Sequence, residues 1–177
     1  GGPVGVRTAG VGVVEARPQS IGGRLKTVLY MAQLAAISQD PWFSRVAHPE
    51  FADCAAFDLD PADGVSFAKV LDVARWIRDE LDALGASGVA KTSGADGLHI
   101  YIPLPAGTPY EAGMLYCQIV AALVERKHGK VATTERSVKA RGKRGYLDCL
   151  QNIPGKTRAN AYRERASDDA SVPTPST

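Results

Sequence analysis

Hydrophobic and polar positions follow two different periods along the chain, and the changes of period mark its elements. Over residues 22–37, Leu25, Val28, Leu29, Ala32, Leu34, Ala35 and Ala36 recur at steps of three and four. That spacing predicts a helix with one apolar face, broken at Asp40-Pro41. The clearest helical pattern covers residues 64–85, with Val65, Ala68, Val70, Leu71, Val73, Ala74, Ile77, Leu81 and Leu84 as its core-facing set and Gly85 as its stop. A further helix is predicted over residues 109–127, opened by Pro109. Short apolar runs bounded by Gly or Pro predict strands at Ala55–Leu59, Val89–Thr92, Leu98–Leu104 and Tyr146–Leu150. Val11–Ala16 predicts one more short strand inside a Gly/Val/Pro-rich opening, and the Ser/Asp/Pro-rich stretch 167–177 predicts a frayed tail. Helices and strands mix without a repeated βαβ unit. The expected class is therefore α+β (mixed α/β), a central and mostly antiparallel sheet flanked by helices.

Composition narrows this further. With 177 residues, 45% of them hydrophobic and 23% charged, there is enough apolar surface to offset ordering entropy, which excludes a disordered chain. The length suits a single domain spanning residues 1–177. No apolar stretch approaches the roughly 18 residues that a membrane span needs, and no secretory signal pattern opens the chain. Cys54, Cys117 and Cys149 are too widely spaced for a zinc set and read as buried, reduced thiols of a cytoplasmic protein. The start at Gly1-Gly2-Pro3, with no methionine, leads us to expect a fragment.

The net charge of only +2 hides a segregation. Residues 50–82 hold nine acids against three bases, and residues 126–144 hold eight bases against one acid. Lys156, Arg158, Arg163 and Arg165 add a second basic group. A polyanion can use the basic segments while cations sit at the acidic one; solvated faces are the plain alternative.

Three patches carry candidate chemistry. In Phe57-Asp58-Leu59-Asp60-Pro61 the period of two sends Phe57 and Leu59 to the core, and Asp58 and Asp60 together to the opposite face. Carboxylates about 6–7 Å apart along one strand face can bridge divalent cations. An EF-hand loop does not fit, because Ala62, Asp63 and Lys69 stand at its fifth, sixth and twelfth positions. In the second patch, Lys91 and the Ser93-Gly94-x-x-Gly97 turn offer backbone N–H groups and hydroxyls to phosphate oxygens, with Lys91 at the entrance and His99 as a further donor. A plain hairpin turn with a packed histidine is the alternative. In the third, Asp148 is a lone acid after the basic run, and as a third carboxylate it would complete a two-metal site of the nucleotidyl-transfer kind. Gln151, Asn152, Lys156 and Arg165 then supply donors for a nucleotide and its phosphates.

These patches, in this order, resemble the polymerase domain of bacterial ligase D and its stand-alone relatives in the archaeo-eukaryotic primase superfamily. The similar stretches are DPWFSR (40–45), AFDLDP (56–61), VLDVARWIRDEL (70–81), KTSGADGLHIYIPLP (91–105), KVATTERSVKARGKRGYLDCLQN (130–152) and GKTRANAY (155–162). The resemblance implies that Asp58, Asp60 and Asp148 are metal-binding and catalytic carboxylates. It implies that Ser93 and His99 contact an incoming triphosphate and that Arg165 lies near the phosphates. With them, Lys91, Gly94, Gln151 and Lys156 form the expected nucleotide site, and Lys139, Arg141, Lys143 and Arg144 the expected DNA contacts.

The implied activity is metal-dependent nucleotide addition to DNA ends, with ribonucleotides preferred over deoxyribonucleotides, in nonhomologous end joining or a related repair. The implied cofactor is Mn2+ or Mg2+, and the implied partners are DNA, nucleoside triphosphates, a ligase and Ku, in the nucleoid-associated bacterial cytoplasm. Departures are Arg163-Glu164 in the last motif, Asp40 where many members have His, and a domain expected to be truncated at its N-terminus, where members carry a further segment, and shortly after VPTPST (172–177), where members continue. A catalytically impaired module that binds DNA or nucleotide is the competing expectation. An Asp-x-Asp phosphohydrolase is disfavoured, because Pro61-Ala62-Asp63-Gly64 stands where its Thr or Ser is wanted.

Overall fold

The Phe57-Asp58-Leu59 alternation sits on the middle strand of the molecule's main sheet. The structure is a computed structural model, and it describes residues 8–10, 18–20, 22, 24–36, 39–62, 64–94, 96–158, 160 and 174–175. Strands β1 (Thr8–Gly10) and β2 (Pro18–Ser20) form a separate antiparallel pair. The main sheet contains β3 (Cys54–Asp60), β4 (Val89–Thr92), β5 (Leu98–Pro103), β6 (Ala132–Thr133) and β7 (Gly145–Asp148), in the order β4-β5-β3-β7-β6. All its pairings are antiparallel except β6 with β7. The expected mostly antiparallel sheet is thus present. Thr174 and Pro175 cover part of its outer edge, where the Thr92 N–H donates to the Thr174 carbonyl at 2.9 Å.

Two helices, α2 (Phe67–Ala83) and α3 (Tyr110–His128), pack on one face of this sheet. Their inward residues Val70, Val73, Ile77, Leu81, Cys117, Val120 and Val124 meet Ala55, Phe57, Leu59, Leu98, Ile100, Ile102 and Leu147. The β3 and β5 residues among them are every second position of their strands, as period two requires, and Leu147 comes from β7. Gly85 ends the second of the predicted helices with φ +71°, a backbone conformation that glycine adopts without strain. Glu80, on the packed side of α2, is buried and takes an ion pair from Lys127.

Among the described residues, the opposite face is covered at one end. Phe43, Ala52 and Tyr110 pack over Cys54 and Ala56, the first half of β3. The second half, from Asp58 on, carries polar groups on that face and borders two cavities. Fold and site are therefore linked through the alternation of one strand.

Some expectations are corrected. The helix predicted over 22–37 forms as α1 (Leu25–Gln33), but its apolar face is not in the core. Leu25, Val28, Leu29 and Leu34 are exposed, and Thr27 is the helix's buried residue. Periodicity determines which residues share a face, not which face meets the core. Pro109 stands just before α3 rather than in its first turn. The sequence pattern also missed β1, β2, β6 and the one-turn helix α4 (Val138–Arg141). Each is too short for a period to show. The strand expected at Val11–Ala16 lies outside the described residues, as does most of 167–177. All three cysteines are buried free thiols. Among the described residues, no helix is long and apolar enough to cross a membrane.

Candidate functional site

Strand register brings four side chains of three chemical kinds into one line. Lys91 on β4 pairs with His99 on β5, His99 pairs with Asp58 on β3, and Asp58 pairs with Asp148 on β7. Residues directly opposite on antiparallel strands project from the same face. The row Lys91-His99-Asp58-Asp148 therefore crosses the face opposite the helices, and Asp60 joins it two residues further along β3, opposite Tyr146.

Contacts within the row are specific. His99 Nε2 lies 3.2 Å from Asp58 Oδ1, and His99 Nδ1 lies 3.0 Å from Lys91 Nζ. An ammonium only donates, so Nδ1 is the acceptor and the ring proton, assigned from these partners, sits on Nε2 facing Asp58. Tyr101 meets the imidazole edge-on, with its hydroxyl 3.4 Å from Nδ1. Lys91 is buried at 4% exposure, so it lies within the sheet rather than at the entrance where the sequence suggested. Asp58 Oδ1 is enclosed and accepts no well-directed hydrogen bond, His99 notwithstanding. An orphaned, enclosed carboxylate oxygen is a costly feature.

The glycine turn bears on Asp60. Ser93 N–H donates to the Gly97 carbonyl at 2.9 Å, and Gly97 N–H donates to Ser93 Oγ at 3.1 Å. Ser93 is buried and its hydroxyl oxygen closes the turn; Gly94 takes φ +78°. A Cβ at Gly97 would stand 2.9 Å from the Leu59 carbonyl oxygen and 3.0 Å from Asp60 Oδ1, so only glycine lets the turn press on the end of β3. Partial burial there raises the Asp60 carboxyl above its ordinary range. The charges of Asp58 and Asp148 add to the rise, while His99 and Arg141 oppose it.

Asp148 closes the row by an Asx-type turn in which Leu150 N–H donates to its Oδ1 at 2.7 Å. Gln151 borders both cavities beside the row. The larger, of about 820 Å³, is walled by Asp60, Asp148, Arg136, Arg141, Tyr146 and Lys156 among others. The smaller, of about 240 Å³, takes Asp40, Phe43, Asp58, His99, Tyr101 and Arg158. Arg141 lies over the Tyr146 ring at 4.6 Å, with an enclosed Nε that makes no hydrogen bond.

Lys139 and Lys143 are exposed, whereas Arg144 folds back to donate to the carbonyls of Arg141 and Ala140. Asn152, expected as a nucleotide donor, is buried and bonded to backbone instead. Arg165 lies outside the described residues. The sequence pattern did not single out Arg136, Tyr146 or Phe43 as site residues. Tyr146 was within reach, since it is two residues before Asp148 on a strand and so shares its face.

Among the described residues no three His, Cys, Asp or Glu side chains converge as a ready-made ion cage. The residues still fit a divalent cation chemically. Three carboxylates share one face, one has an enclosed oxygen without a well-directed hydrogen bond, and another is raised by burial and by its like-charged neighbours.

Comparison with known proteins defines the class. The family described as LigD, primase-polymerase domain, matches residues 13–177, and the chain belongs to it. It is 30% identical over 152 residues to the bifunctional non-homologous end joining protein LigD of Bacillus subtilis, covering 85% of this chain and 25% of that one. It is 32% identical over 156 residues to the multifunctional non-homologous end joining protein LigD of Mycobacterium bovis, covering 84% of this chain and 21% of that one. The chain thus spans a quarter or less of these relatives. Among solved structures, the polymerase domain of Mycobacterium tuberculosis ligase D in complex with DNA superposes with TM-score 0.87 at 27% identity, over 99% of this chain and 64% of that one.

Proposed function

We propose that this chain is a metal-dependent nucleotidyltransferase that adds nucleotides, ribonucleotides in preference, to DNA ends during end joining. The observation that carries the reading is the cross-sheet row Lys91-His99-Asp58-Asp148 with Asp60 beside it. Asp58, Asp60 and Asp148 are the residues that would hold Mn2+ or Mg2+. When bound, such a cation lowers the pKa of a primer 3′-hydroxyl and neutralises triphosphate charge.

The remaining work belongs to the chain's own groups. His99 lines the smaller cavity with Nε2 beside Asp58, and from there it would donate to a phosphate oxygen. The Ser93–Gly97 turn holds Asp60 at the end of β3. Arg136, Arg141 and Lys156 supply positive charge to the larger cavity, which would favour a polyphosphate there. Exposed Lys139 and Lys143 extend that charge along the basic run. A ligase and Ku are the proposed repair partners.

The test is extension of a primer on a gapped duplex bearing a 5′-phosphate, with Mn2+ and with ribo- and deoxynucleotides in parallel. Extension by the chain that is lost in Asp58→Ala supports the reading. Equal extension by both proteins overturns the metal assignment.

A further inference from the structure

Strand β7 leaves the sheet earlier than β3 needs it. The register pairs Asp60, Leu59 and Asp58 with Tyr146, Leu147 and Asp148, and continuing it would place residue 150 opposite Ala56. The chain turns away after Asp148 instead. The Ala56 N–H and C=O would then be buried without strand partners, since Ala56 is 4% exposed.

Asn152 occupies that gap. Its Oδ1 accepts from the Ala56 N–H at 2.7 Å, and its Nδ2 donates to the Ala56 carbonyl at 2.8 Å and to the Cys149 carbonyl at 2.8 Å. One carboxamide thereby makes both bonds of a missing ladder pair, while tying the residue after Asp148 to the residue two before Asp58. It is buried at 3% exposure. Cys117 Sγ, at 3.9 Å, is the other group near the Ala56 carbonyl.

We propose that Asn152 is a positioning residue, a surrogate strand that sets the separation and pitch of the Asp58- and Asp148-bearing strands. This rests on the nucleotidyl-transfer reading above. A carboxamide suits the task because it offers an acceptor and two donors in one plane, as a peptide group nearly does. Small losses of alignment between reacting groups lower turnover strongly.

The experiment compares the wild-type chain with Asn152→Ala, Asn152→Asp and a core control, Val70→Ala, whose site lies in α2 away from the row. Asn152→Asp keeps the shape but replaces the donating nitrogen with an oxygen facing two carbonyls. Thermal midpoints, kcat, nucleotide KM and the exchange rate of the Ala56 amide are measured. We expect kcat to fall roughly tenfold or more in folded Asn152 variants, with KM within about twofold. Val70→Ala, which loses stability through a cavity, keeps its kcat at a temperature where it is folded.

A folded Asn152 variant with the control's kcat overturns the proposal. Should neither variant fold, the wild-type Ala56 amide decides. Exchange as slow as its ladder-bonded neighbours supports the clamp, and exchange as fast as an open loop overturns it. A wild-type chain that incorporates nothing defeats the nucleotidyl-transfer reading itself and this proposal with it. An active wild type with insensitive variants defeats the clamp alone.

Discussion

His99 stands between an ammonium and a carboxylate, and that placement decides what its removal should do. With Lys91 on Nδ1 and Asp58 beyond Nε2, the ring is oriented from both sides on the wall of the smaller cavity. On the proposed reading, a donor so held would help bind a phosphate before and during transfer. His99→Ala is therefore expected to raise the apparent nucleotide KM by about tenfold, the cost of one charge-assisted hydrogen bond, with a smaller fall in kcat. Steady-state incorporation across nucleotide concentrations measures the split, and an unchanged KM removes His99 from the triphosphate site.

Asp60 allows a second test at the same scale. Its carboxyl is raised by partial burial and then by Asp58 and Asp148, so ionising it works against the fold. The stability it contributes is present below the ordinary carboxylate range and lost as pH rises through the raised value. Asp60→Asn should consequently raise the melting midpoint in chelator near pH 8 and lose that advantage by about pH 4. Solvent at the end of the strand screens part of the effect. Thermal melts across this pH range check the sign, and a variant less stable than wild type near pH 8 refutes it.

Between residues and fold, the element β6 shows how a two-residue strand is kept in place. Thr133 is fully buried beside β7, and the Glu125 carboxylate on α3 accepts hydrogen bonds from the hydroxyls of Thr133 and Thr134. Burial pushes the Glu125 carboxyl up, but these bonds, the Thr134 backbone and Arg144 together hold it below its usual value. Its stabilisation is present at neutral pH and lost as pH falls through that lowered value. Glu125→Gln should cost about 1 kcal/mol near pH 7 and progressively less in acid. Denaturant melts at paired pH values measure this, and a loss independent of pH assigns the effect to packing alone.

The long helices and the central strands were legible in the sequence because each spans enough residues to display a period. Asp58 and Asp60 were legible for the same reason. What a period cannot carry is register. That Asp148 falls opposite Asp58, and Lys91 beside His99, depends on pairing between segments distant in the chain. Lys91 was consequently expected at the surface and Asn152 at a ligand, although both are buried against neighbours brought in by the sheet. The face of α1 was misjudged because amphipathicity alone does not say which partner a helix meets.

Across the whole molecule, the net charge of +2 conceals two different uses of charge. Much of the acidic run is not at the site. Asp72 and Asp79 pair with Arg75 and Arg78 on the exposed side of α2, and Glu80 pairs with Lys127. Asp58 and Asp60, by contrast, lie on the cavity-bearing face. The basic run divides likewise. Arg144 is turned back onto α4 and Arg141 faces the larger cavity, leaving Lys139 and Lys143 as outward charges next to it. If those two lysines meet DNA phosphates, their neutralisation releases fewer counterions on binding. Lys139→Gln with Lys143→Gln should therefore weaken DNA binding and flatten the log–log salt dependence by about 0.9 for each phosphate no longer neutralised. The matched double substitution Arg126→Gln with Lys130→Gln, at and just beyond the end of α3, should leave the slope unchanged, because those charges do not flank the cavity-lining Val138 and Arg141 as Lys139 and Lys143 do. Binding titrations at several salt concentrations separate the two outcomes. Equal slopes for all three proteins would return Lys139 and Lys143 to a merely solvated face and move the DNA track elsewhere on the sheet.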